Sequence, residues 1–232
     1  MRRAAHLQYL QYVVLGFLGG VECVTFLEEP HQYRLERTLF SGYKPHLRPV
    51  LDPNTTTNIT YTLVITAVHE LDEMHQTLVH SSYLSLSWMD QLLVWDPGQY
   101  GDIRWLEVPT EMIWTPNLMF VNSASDKRSL EPDMSRFAFI NSSGRVVSAP
   151  FAVRTTSCSM DITFYPFDSQ VCVVTLESWS SPESEMNVTD AEVKLDEWYT
   201  ANSEWKLEEV AVEDVESIFE DCLTPDTTSS SG

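Results

Sequence analysis

Cys158-Ser-Met-Asp-Ile-Thr-Phe-Tyr-Pro-Phe-Asp-Ser-Gln-Val-Cys172 is the stretch on which the fold turns. Two cysteines enclose a run that is apolar and aromatic at Met160, Ile162, Phe164, Tyr165 and Phe167. If the two pair, they close a loop of about 15 residues, worth roughly 3 kcal/mol in the chain-entropy account of disulfide stabilisation. The product would be a small rigid lobe with a greasy tip. Such a tip on a secreted domain needs something to press against.

Working outward, the ends point to the same compartment. Met1-Arg2-Arg3 is followed by an interrupted apolar run from Leu7 to Gly20, the pattern of a secretory signal peptide over residues 1–23 with cleavage before Val24. The alternative is a retained N-terminal anchor. No later stretch is long and apolar enough to span a bilayer. Residues 24–222 therefore read as one domain, and 223–232 as a polar, flexible tail. Secretion permits disulfides, and loss of Cys23 leaves Cys222 as the odd thiol beside Cys158 and Cys172. Asn54, Asn58, Asn141 and Asn187 each open a glycosylation sequon.

Acidic residues outnumber basic ones by 34 to 14, for a formal net charge of −20. Such a chain is repelled by phosphate backbones, so nucleic acid is not expected as a partner. Its field would concentrate cations instead. No Gly-rich phosphate loop, Gly-x-Ser-x-Gly elbow or His-Glu-x-x-His helix occurs. His69, His75 and His80 lack the spacing of a metal site. An enzyme, a cofactor and a metal are therefore not expected.

The hydrophobic pattern is that of strands. Tyr33, Leu35, Leu39 and Phe40 predict one short amphipathic helix near residues 30–41. From Ile59 to Val68 the chain alternates, with Ile59, Tyr61, Leu63, Ile65 and Ala67 on one face. From Val79 to Trp88 it alternates again, Leu84, Leu86 and Trp88 opposing Val79, Ser81, Tyr83 and Ser85. Further strands are predicted at Arg136–Ile140, Arg145–Ser148, Val171–Leu176, Glu192–Leu195 and Trp205–Val212. The fold class is all-β, an immunoglobulin-like sandwich with a short N-terminal helix.

Several of these segments resemble the Cys-loop receptors, the pentameric ligand-gated ion channels. Their signature is Cys, thirteen residues, Cys, with an aromatic-Pro-x-Asp run that Tyr165-Pro166-Phe167-Asp168 fills in register. Leu71-Asp72-Glu73 with Gln76, Trp88-Met-Asp90, Trp95-Asp-Pro97 and Trp114-Thr-Pro116 resemble further family segments, although Asn117 replaces the usual Asp. The resemblance covers about residues 30 to 222. It is nearest the nicotinic acetylcholine and type 3 serotonin receptors and the soluble acetylcholine-binding proteins.

That resemblance implies an extracellular ligand-binding domain of a cation-selective channel subunit. It would be secreted or held at the outer face of the plasma membrane, and would assemble as a homo- or hetero-pentamer. A small amine such as acetylcholine or serotonin would bind between subunits in a box of aromatic rings, whose faces attract ammonium groups. It implies Trp179 and Phe219 on one wall and Tyr83 on the other. It implies that Phe164, Tyr165, Pro166, Phe167 and Asp168 couple binding to a membrane domain. It also implies a further strand after Cys222 and four spanning helices, none of which follows here. Membrane contact would then come only through a part outside this chain, or another chain would cover the open edge. Three departures bear on the ligand: Val121 where an aromatic is common, Asp221-Cys222 in place of two adjacent cysteines, and Ser148 near a frequent tryptophan. The alternatives are a soluble transmitter-binding protein and a non-binding assembly module.

Overall fold

The computed structural model describes residues 29–125, 137–178 and 184–213. Among the described residues one α-helix, α1 (His31–Phe40), precedes nine strands: β1 (Thr57–Asp72), β2 (Thr77–Met89), β3 (Trp105–Pro109), β4 (Leu118–Phe120), β5 (Phe137–Asn141), β6 (Arg145–Ser148), β7 (Phe151–Ser157), β8 (Leu176–Ser178) and β9 (Met186–Thr200). They form an all-β sandwich with one short helix. The larger sheet runs β3-β5-β6-β2-β1-β9, with β7 pairing the far half of β2; β4 and β8 form the second sheet.

The two long alternating runs form the β1–β2 hairpin, from Ile59 opposite Trp88 to Asp72 opposite Thr77. Their inward residues are the core. Ile59, Leu63 and Ile65 are buried with Leu84, Leu86 and Trp88, and Leu35 of α1 closes one end at 0% exposure. The helix has no side-chain N-cap, so packing holds it rather than local capping. Arg34 lies over the Tyr100 ring and donates to the Gln99 carbonyl. The Trp88 and Trp114 rings meet edge to face in the core, 6.0 Å between centroids.

Cys158 and Cys172 are bonded. Their loop is held against the β1–β2 turn by Gln76: its carbonyl accepts from Cys158 N at 2.8 Å, and its side-chain oxygen accepts from Met160 N. Asp161 and Gln170 exchange hydrogen bonds across the loop at 2.9 Å. Beyond them the tip stands in solvent, with Phe164, Tyr165 and Phe167 exposed and the Tyr165–Pro166 bond cis.

Two expected strands differ. Val171–Leu176 is a strand only from Leu176 onward. The Asn122 side chain accepts from Thr175 N at 3.0 Å and donates to the Val173 carbonyl at 2.6 Å. A side-chain amide thus occupies the place of a ladder partner. Trp205–Val212 is not a strand either, and among the described residues no strand pairs with it. Its alternation is real, but a strand exists only where a neighbour takes its backbone hydrogen bonds. Conversely, Glu192–Leu195 is the middle of the fifteen-residue β9, and β3, β4 and β7 went unexpected.

Candidate functional site

Strand β9 runs parallel to β1, from Thr57 opposite Met186 to Ile65 opposite Leu195. There the ladder slips. Strand β1 advances from Ile65 to Ala67 while β9 advances from Leu195 to Thr200. The surplus residues leave the ladder as a bulge, a device that redirects side chains at sheet edges. The Asp196 carboxylate accepts from Trp198 N at 2.7 Å and fixes the turn.

The bulge arches over Tyr83. Val64 stands between Tyr83 on one side and Lys194 on the other, all three in register across β2, β1 and β9. Val64 is only 6% exposed although it lies on the outward face. Together with residues 194–198 it lines a cavity of about 360 Å³ that opens beside the Tyr83 ring. Lys194 is turned to Glu192, 2.7 Å away, which leaves Asp196 and Glu197 as the charges nearest the ring. Burial, then the Asp196 carboxylate and Glu197, raise the Tyr83 ionisation above the usual phenol range. At neutral pH the phenol is protonated, beside the Asp196 carboxylate that shares its cavity. Trp198 is 86% exposed at the rim. An aromatic ring, an exposed indole and two carboxylates around one opening make a site for a cation with an apolar shell.

Of the sequence-predicted ligand residues, the structure places Tyr83 in this cavity. Trp179 and Phe219 lie outside the described residues, as do Cys222, residues 1–23 and the tail. Ser178, which precedes Trp179, is opposite Leu118 in the smaller sheet. Val121 lies just past β4, its N–H bonded to the Thr175 carbonyl at 3.1 Å. No residue of β4 or β8 lines the Tyr83 cavity. Sequence reasoning missed Val64, Asp196, Glu197 and Trp198. The available signal was the break in alternation at Asp196-Glu-Trp198, directly after the Glu192–Leu195 pattern. Among the described residues no group of three or more His, Cys, Asp or Glu is placed to hold a metal.

A family model for the neurotransmitter-gated ion-channel ligand binding domain matches residues 32–229. The chain belongs to this family. It is 32% identical over 197 residues to the neuronal acetylcholine receptor subunit beta-3 of Rattus norvegicus, covering 84% of this chain and 41% of that protein. To the neuronal acetylcholine receptor subunit alpha-2 of Rattus norvegicus it is 30% identical, covering 87% and 40%. To the acetylcholine receptor subunit gamma of Gallus gallus it is 29% identical, covering 88% and 40%. The chain thus spans about two fifths of the length of the relatives it matches.

A Cys-loop receptor ligand-binding domain of nicotinic type is an extracellular binding module, not an enzyme. Cys158–Cys172 is its cysteine loop. Among the described residues no helix is long and apolar enough to cross a membrane.

Proposed function

We propose that this domain binds a small amine, such as acetylcholine or serotonin, at the contact between adjacent subunits of a pentamer belonging to a cation-selective channel. Tyr83 belongs to one wall, with Trp198, Asp196 and Glu197 beside it. Trp179 and Phe219 belong to the opposite wall, supplied by the neighbouring subunit. The observation that carries this reading is the cavity under the β9 bulge, where an aromatic ring and two carboxylates meet without an unpaired cation. That Tyr83 shares its cavity with no residue of the smaller sheet favours a site completed by a second copy. The exposed ring tips at Phe164, Tyr165 and Phe167 suit a contact with a membrane domain, through which closure on the ligand would be passed on.

Equilibrium binding of acetylcholine, choline and serotonin to assembled protein, with its size fixed by sedimentation, tests this. Tyr83→Ala and Trp179→Ala should each weaken binding roughly 2- to 30-fold, the range of one cation–π contact. Asp196→Asn should weaken it most at low ionic strength, because the carboxylate acts through a screened field. A pentamer that binds none of the three amines would overturn the reading and leave an assembly module that does not bind. Val121, an aliphatic residue where the resemblance would put an aromatic wall of the box, is the feature in favour of that second reading.

A further inference from the structure

Asn58 and Asn187 are 129 positions apart in sequence, yet they are register partners at the start of the parallel β1–β9 ladder. Their neighbours Thr57 and Met186 are likewise partners, and both are buried. Alternation therefore sends both asparagine side chains to the outward face, where Asn58 is exposed and Asn187 half-exposed. Each opens a sequon, Asn58-Ile-Thr60 and Asn187-Val-Thr189. Paired strands lie about 4.8 Å apart, and side chains in register on one face are side by side.

We propose that Asn58 and Asn187 are a single glycan position, occupied on one residue or the other in each folded molecule. The inference rests on the extracellular placement of the domain. In the transfer, a lipid-linked oligosaccharide pyrophosphate is the donor. The asparagine Nδ2 forms a bond to the sugar C1, the C1–oxygen bond to pyrophosphate breaks, and the amide proton leaves with the lipid pyrophosphate. The acceptor sequon must be free to bend toward the transferase. Inside the β1–β9 ladder it is extended, and the Thr189 hydroxyl is turned to the Ile59 carbonyl at 3.4 Å. Occupancy is therefore decided before β9 adds to β1. A sugar on Asn58 stands where a sugar on Asn187 would have to lie. A chain carrying both cannot close the ladder at its first rungs.

This end of the ladder has other ties. Arg48 donates to the carbonyls of Pro53, Thr55 and Glu185, and Thr56 to that of Ser184. These bonds hold the stretch bearing Asn54 against the start of β9. Strand β1 is sixteen residues long, so this end lies roughly 50 Å from the turn that seats the cysteine loop. Asn141 sits elsewhere, the last residue of β5 where the turn to β6 begins, and reports independently whether the chain met the transferase.

The test is intact mass and site-mapped occupancy of the full chain secreted from animal cells, with Asn54→Gln in the background. Asn141 should carry a glycan, and each molecule should carry one more, at Asn58 or at Asn187. Asn58→Gln should raise occupancy at Asn187, and Asn187→Gln should raise it at Asn58. Secreted, disulfide-bonded molecules glycosylated at both positions would overturn the proposal. So would occupancies unchanged by the reciprocal variant, or neither position occupied while Asn141 is.

Discussion

The Tyr43 hydroxyl donates to Asp90 Oδ2 at 2.6 Å and at the same time accepts from the Trp114 backbone N–H at 3.0 Å. Asp90 has no exposed surface, and its other oxygen accepts from the N–H groups of Leu92 and Leu93. Burial raises the Asp90 ionisation, and burial again, then Asp90, raise that of Tyr43. One phenol thus joins the chain after α1, the end of β2 and the approach to β4. Tyr43→Phe strands a buried carboxylate oxygen and a backbone donor together. It should cost about 2–3 kcal/mol in urea unfolding, the penalty for leaving buried partners unmade. A change below about 0.5 kcal/mol would mean that water replaces the hydroxyl at this junction.

Gly144 closes the β5–β6 turn at φ +88°, and a Cβ there would stand 2.4 Å from the Asp90 carbonyl oxygen. That carbonyl is backbone and cannot swing away. Gly144 also accepts from Asp90 N at 2.8 Å, so the turn and β2 are locked face to face. Gly144→Ala combines a left-handed conformation with an overlap, and should destabilise by roughly 2 kcal/mol or more. Gly98→Ala has its nearest atom, the Asp96 side-chain oxygen, at 3.5 Å. It should be nearly neutral in the same thermal melt, and equal effects of the two substitutions would refute the steric account.

His80 is buried in β2 opposite Arg154 of β7, and neither ring nitrogen has a hydrogen-bond partner among the described residues. Burial, then the charges of Arg154 and His69, lower its pKa to about 4 from 6.5. Between those values the unfolded chain binds the proton and the folded chain does not, so stability rises with pH through that window. Going the other way, stability should fall as pH drops from about 7 to 4 and level off below, by about 3 kcal/mol. His80→Leu should remove most of this slope in urea midpoints taken at pH 7.5, 5.5 and 4. A slope that persists in the variant would assign the acid sensitivity to other groups.

The Cys158–Cys172 bond spans fourteen positions. Replacing both cysteines by serine should lower stability by about 3 kcal/mol through the unfolded state. The bonds from Gln76 to Cys158 N and Met160 N do not depend on sulfur. Hydrogen exchange should therefore show residues 161–171 opening more readily, with Gln76 and the β1–β2 turn less affected. Uniform loss of protection across β1 and β2 would show that the disulfide holds the hairpin as well as the loop.

Much of the fold was legible because alternation is local. Ile59, Leu63, Ile65, Leu84, Leu86 and Trp88 face the core as their period of two requires, and the spacing of Leu35, Leu39 and Phe40 gave the helix. Cysteine spacing and the Tyr-Pro-Phe-Asp run carried the family. Tyr83 was legible as the outward member of an inward-outward strand.

What only the tertiary structure decided is which segments are neighbours, since pairing depends on register between residues far apart. Val171–Thr175 has the pattern of a strand, but Asn122 takes its hydrogen bonds, and nothing in its own residues says so. The bulge that carries Asp196, Glu197 and Trp198 over Tyr83 arises from a slip of β9 against β1, across more than a hundred residues of chain. The same ladder sets Asn58 beside Asn187. Sequence fixes what each residue prefers and which face it shows. Long-range backbone pairing fixes what each face meets, because the hydrogen bonds of one strand are satisfied only by another.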